Sequence, residues 1–240
     1  MPNGVYAAMT GALAQEEYMD IISNNLANGS TVGFKGTRAT FEEVYGDAVG
    51  MKNETQRHVK LDSTYTDFSQ GGLRQTHSPL DVAIMGEGFL VVQTPEGERY
   101  TRNGSFTLDA NRKLVNLSGY PVMGSSGEFE VPEGESIQIS QDGTVAAGEV
   151  QLGRLKMVKF EDPGSLSRYG HGLWVPSEGV DAQAQENYTI QPGWVEQSNV
   201  NMIHEMTELI KVNRFYEAFH KTIQTFRTVD STTARDVGRV

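Results

Sequence analysis

Apolar residues recur at alternating spacings of three and four at both ends of this chain, and nowhere between. In the first stretch they fall at Val5, Ala8, Ala12, Met19, Ile22 and Leu26, with Gln15 the one polar intruder. Met9 and Leu13 widen the stripe, while Glu16, Glu17, Asp20 and Asn24 lie off it. That spacing predicts an amphipathic helix. It closes near Asn28-Gly29, a pair able to take the left-handed conformation that ends helices. Beyond Gly193 the period returns at Met202, Leu209, Val212, Tyr216, Phe219, Ile223 and Phe226, with Glu205 filling the missing place in the register. At 1.5 Å per residue this second stripe makes a helix of roughly 40 Å. An isolated amphipathic helix is marginal in water and takes its stability from packing. Each end can pair with the other in cis or with copies from neighbouring subunits, and the stripe alone does not choose.

Between the stripes the pattern changes. From residue 41 to about 80, Phe41–Tyr45 can continue a helix or extend and Gly46–Asp67 is polar with no dependable period, so the stretch reads as an extended linker with short strands. From Leu80 to Trp194, short runs of strand-forming residues alternate with turn residues. Phe89–Thr94, the loop Pro95–Glu98 and Arg99–Arg102 read as a hairpin. Asn103-Gly104 is a two-residue hairpin turn signal leading into Ser105–Leu108, and Asp142-Gly143 is another tight turn. A compact, mostly antiparallel β domain is expected.

Several classes of function drop out on composition. Twenty Lys and Arg against 31 Asp and Glu leave a formal charge of −11, which opposes a nucleic-acid or anionic-membrane surface as main partner. With no cysteine, disulfides, thiol catalysis and thiolate metal sites are absent. No apolar run is long enough to span a membrane, and the first residues lack the charged and apolar regions of an ordinary signal peptide. His204 and Glu208 stand one helical turn apart, but no third metal ligand lies nearby, so a solvated helix face is expected there. Gly86-Glu87-Gly88 hints at a phosphate loop, yet a strand-like run follows where a helix N-terminus is needed. No catalytic residue, cofactor or metal site is picked out.

The run Asn24-Asn25-Leu26-Ala27-Asn28-Gly29-Ser30-Thr31-Val32-Gly33-Phe34-Lys35 resembles the N-terminal signature of the bacterial flagellar rod and hook axial proteins. Asn24, Asn25, Ala27, Asn28, Thr31, Gly33, Phe34 and Lys35 carry that likeness. Further blocks follow in the family's order: Asp67–Gly71, Pro79–Ile84, Gly86–Phe89, Arg99–Phe106, Gly119–Val122, then Glu196–Asn201 and Arg214–Glu217. Gly88–Pro95 is most similar to a proximal rod subunit, with the distal rod subunit the nearest alternative and a hook-type axial protein another. The polar tail from Thr228 to Val240 departs from the pattern.

The resemblance implies a mixed α+β fold. Its N- and C-terminal amphipathic helices, 1–35 and 196–240, would pack in a coiled-coil-like layer, with an extended linker at 36–79 and a central β domain at 80–195. It also implies a non-enzymatic subunit of the basal-body rod, the shaft that transmits motor torque, with no cofactor. The implied partners are copies of itself, other proximal and distal rod subunits, and the flagellar type III export apparatus; nucleic acid and membrane insertion are not implied. Phe34 is divided evenly between core packing and a subunit contact. Arg214 and Glu217, three apart on one helical face, read as a solvated pair.

Overall fold

The computed structural model describes residues 2–47 and 55–237. Residues 48–54 of the stretch read as linker, and the last three of the polar tail, lie outside the described residues. The chain divides into two compact units: Met1–Ala27, Thr37–Asp67 and Asn201–Val240 make one, Asn28–Gly36 and Phe68–Val200 the other.

The first unit holds both long helices, α1 (Pro2–Ala27) and α2 (Met202–Val237). α1 stops one residue before Asn28, where the signature turn begins with the Thr31 amide donating to the Asn28 carbonyl at 3.1 Å. α2 starts after Asn201, whose side-chain oxygen accepts from the His204 amide at 3.2 Å; an asparagine here satisfies one of the donors that a helix start leaves orphaned. The two helices pack against each other in antiparallel fashion. Gly4 and Gly11, seven apart on α1, sit under the rings of Phe226 and Phe219, seven apart on α2.

The same unit contains strands β1 (Thr37–Asp47) and β2 (Thr55–Thr66), paired antiparallel from Thr37↔Thr66 to Asp47↔Thr55 with one register shift between Thr40 and Phe41. This two-stranded ribbon occupies most of the stretch expected to be an extended linker. Its apolar residues do not mark a buried face where they are described: Phe41 and Tyr65 are both exposed. Edge-on stacking of the Tyr18 ring against Phe41, 5.2 Å between centroids, ties the ribbon to α1.

The second unit is β throughout apart from one short turn of helix at Pro163–Ser165. Its main sheet has six strands in the order 166–170, 173–176, 97–101, 89–94, 157–159, 183–184. Every pair within it is antiparallel. Strand Phe89–Thr94 is buried along almost its whole length, and its side chains alternate between two cores. Leu90 and Val92 join one with Val82, Leu114 and Leu173; Phe89 and Val91 join the other with Tyr100, Phe160 and Trp174. Period-two geometry sends neighbours to opposite faces, so a continuous apolar run is what a sheet covered on both faces requires.

The hairpin 89–101 forms, from Leu90↔Thr101 to Thr94↔Gly97. Asn103-Gly104, however, does not join two paired strands: Phe106–Leu108 pairs onward with Leu114–Asn116. Asn103 instead holds a side-chain turn, accepting from the Ser105 amide at 2.9 Å, and the Gly104 backbone lies against Val82. Residues 28–35 and 196–200, expected with the terminal helices, lie elsewhere. They belong to the β unit, where Glu196 ends a strand (Trp194–Glu196) paired with Leu73–Gln75.

Candidate functional site

The signature splits between the units. In the helical unit, Asn25 is buried near the end of α1 and behaves as a surrogate strand partner. Its amide nitrogen donates to the Thr37 carbonyl at 2.8 Å, and its side-chain oxygen accepts from the Thr37 amide at 2.9 Å. Only a primary amide offers a donor and an acceptor side by side in this way. Arg38, the next residue, reaches Glu205 at 3.2 Å and Asp67 at 3.8 Å. Glu205, the charged member of the α2 stripe, is therefore buried with a guanidinium partner, and its place in the helix's first turn suits the dipole.

In the β unit the rest of the signature meets three other parts of the chain. Gly33 has φ of +69°, and a β-carbon there would come within 2.6 Å of the Asn103 backbone nitrogen; glycine is required twice over. Phe34 is buried, which decides between the two roles left open for it. The Arg168 guanidinium lies over its ring at 4.6 Å and over Trp174 at 4.8 Å, and donates to the Lys35 carbonyl.

Lys35 closes the segment inside the protein. Its ammonium donates to Glu196 at 2.5 Å and to the Ser69 carbonyl at 2.7 Å, and both charged side chains have no exposed surface. Glu196 also accepts from Arg102 at 3.1 Å and from the Gly71 amide at 3.0 Å. The remaining donors of Arg102 go to carbonyls, Gly86 at 2.8 Å and Gly88 at 2.7 Å. The glycines that hinted at a phosphate loop thus turn carbonyls, not amides, toward a buried arginine. Burial pulls the Arg102 guanidinium down, and Glu196 pushes back. Removing one partner from such a node strands a buried charge, at a cost of ~3–5 kcal/mol.

The predicted helical stripe residues all lie on α1 and α2 of the first unit. Ala8, Ala12, Ile22, Val212 and Ile223 are buried; Val5, Met19, Leu26, Leu209, Tyr216, Phe219 and Phe226 are half-buried. Met202 departs from the stripe and is exposed. Periodicity missed a second apolar surface: Tyr6, Met9 and Leu13 on α1, and Ile203, Met206 and Ile210 on α2, are all exposed. At 100° per residue, Tyr6, Met9 and Leu13 share the side of α1 opposite Gly4, Gly11 and Ile22. The signal was present, since Met9 and Leu13 widen the stripe, but one helix cannot cover both sides. Arg214 and Glu217 lie on exposed helix surface, as does His204; Glu208 is engaged by Lys211 at 2.6 Å, which holds its carboxyl below the usual range. Among the described residues no group of three or more potential ligands gathers for a metal, and no helix is long and apolar enough to cross a membrane.

Three family models match. Residues 5–35 match the "Flagella basal body rod protein" model, 83–147 the "Flagellar hook protein FlgE/F/G D1 domain", and 191–236 the "Flagellar basal body rod FlgEFG protein C-terminal". Lys35, Arg102 and Glu196 each lie in a different one of these segments. The FlgG basal-body rod protein of Buchnera aphidicola subsp. Schizaphis graminum is 36% identical over 92% of this chain and 94% of its own length. Escherichia coli FlgF is 34% identical over 93% of both chains. Caulobacter vibrioides FlgF is 28% identical over the whole of both. With likeness running from the first helix through the β unit to the last, this chain belongs to the flagellar basal-body rod and hook axial protein family.

Proposed function

We propose that this chain is a structural subunit of the flagellar basal-body rod, a non-enzymatic element of the shaft that carries motor torque. The observation that carries the reading is full-length likeness to FlgF and FlgG rod proteins, with all three matched segments in order. Assembly is its mechanism. The helical unit satisfies one apolar stripe internally and keeps Tyr6, Met9 and Leu13 outward, a surface suited to helices of neighbouring copies in a coiled-coil-like layer. Partners in this reading are further copies, other proximal rod subunits and distal rod subunits. The chain reaches the periplasm-spanning rod through the flagellar type III export apparatus.

Position within the rod is proposed as proximal. A distal position is the second reading, favoured by FlgG relatives as similar as the FlgF ones. Cryo-electron microscopy of basal bodies carrying a labelled copy tests both. Density at the base of the rod supports the proximal reading, density next to the hook the distal one, and absence from the basal body overturns the function. Leu13→Asp adds an independent arm. At 58% exposure Leu13 tolerates a charge in the monomer, so the variant folds as before but fails to enter rods.

A further inference from the structure

The buried charges described above connect three stretches far apart in sequence. Lys35 and Glu196 are 161 residues apart, Arg102 and Glu196 are 94 apart. Around them, backbone and side-chain bonds repeat the same connection. The Gly33 amide donates to the Glu196 carbonyl at 2.7 Å, the Gly36 amide to Asn199 at 2.8 Å, the Gln197 amide to the Gly72 carbonyl at 2.8 Å, and the Asn199 side chain to Ser69 at 3.2 Å. A β-carbon on Gly71 would lie 2.0 Å from the Gln197 carbonyl oxygen, so the 68–72 and 196–199 stretches meet backbone to backbone. Within the β unit, 28–36 therefore has its hydrogen-bonding and charge partners chiefly on a strap, 196–199, made last along the chain.

We infer that Glu196 is the locking residue of a latch: the signature segment 28–36 becomes fixed on the β unit only when the strap 196–199 brings its carboxylate between Lys35 and Arg102. A lysine ammonium with no exposed surface is held there by the Glu196 carboxylate together with the Ser69 carbonyl, and loss of the carboxylate favours moving the segment out to water. The adjoining bonds then go with it, because Gly33 and Gly36 donate to the same strap. The hairpin 89–101 uses none of these bonds and closes locally. Pairing across 161 residues closes a much longer loop, which is entropically dearer and later to form. A chain emerging N-terminus first thus presents an unlocked signature until its strap has arrived.

Hydrogen exchange on the full chain tests the latch. Glu196→Gln keeps the shape and removes the charge; exchange in 28–36 and 68–72 rises by about tenfold or more while 89–101 keeps its protection. Adding Lys35→Met to that variant restores most of the lost protection in 28–36, since the stranded cation is gone. Unchanged exchange in 28–36, an equal rise across 89–101, or no recovery in the double variant would each overturn the latch. Pulse labelling during refolding of the unaltered chain needs no substitution. Protection of 28–36 arises in the same phase as 194–200 and after 89–101; protection of 28–36 ahead of the strap overturns the inference.

Discussion

Gly11 of α1 lies so close beneath Phe219 of α2 that a β-carbon on the glycine would come within 2.7 Å of the ring's Cζ. Gly4 and Phe226 repeat the relationship at 2.8 Å. Two opposing effects decide what Gly11→Ala does. Alanine favours the helix by ~1 kcal/mol, while displacing a packed ring costs ~1–3 kcal/mol. The ring contact prevails, and the net loss is about 1 kcal/mol in denaturant unfolding followed by helical circular dichroism. Phe219→Leu combined with Gly11→Ala recovers most of it.

Phe219→Asp removes that ring and puts a carboxylate against α1. The helical unit loses about 2–3 kcal/mol, and cells relying on the variant swim poorly or not at all. Lys221→Asp, on the exposed side of the same helix, changes helix stability by about 0.5 kcal/mol or less. Near-ultraviolet circular dichroism of Trp174 and Trp194 in the β unit stays the same in both.

Asn25→Ala leaves both Thr37 backbone groups without their side-chain partner. The expected cost is ~1–3 kcal/mol, read as faster exchange of the Thr37 amide. Asn25→Asp fares no better despite its near-identical shape, because it sets a carboxylate oxygen against the Thr37 carbonyl.

Gly33→Ala meets both a left-handed backbone and the Asn103 nitrogen, and backbone cannot swing aside as a side chain does. A loss of more than ~2 kcal/mol is expected in unfolding of the β unit, monitored by tryptophan fluorescence. Gly86→Ala, at positive φ but in open space, loses only the conformational part, about 1 kcal/mol.

Asp142 accepts from the Thr144 hydroxyl at 2.8 Å and its amide at 3.1 Å, which holds its carboxyl below the usual range. A depressed folded-state value makes a contribution that is present above the unfolded value and lost as pH falls through the folded one. An NMR titration of the Asp142 carboxyl therefore shows a midpoint below that of an unstructured aspartate. In Thr144→Val the midpoint rises.

Helical stripes were legible because a periodic signal needs only the residues that carry it, and α1 and α2 span the two stretches where that period appears. Partners distant in sequence were not. Glu205 reads as a flaw in the stripe until Arg38 is seen beside it, and Lys35 reads as one letter of a signature until Glu196 closes on it. Charge burial of this kind leaves no local trace. The pairing of β1 with β2 was not legible for a different reason: the sequence suggests extended chain with short strands, but backbone hydrogen bonds join the two, and Phe41 and Tyr65 are both exposed. Asn103-Gly104 had the composition of a hairpin turn, yet Gly104 is there because its backbone presses on Val82. Turn composition and close approach call for the same residues.

Strand Phe89–Thr94 shares its side chains between two cores, and a mechanical consequence follows. Neither core can be pulled open without dragging the strand that the other has gripped, so load on one face is handed directly to the opposite one. A β unit built this way yields as a single body, and stiffness of that kind is what a rotating part needs if it is to pass on a turn without absorbing it.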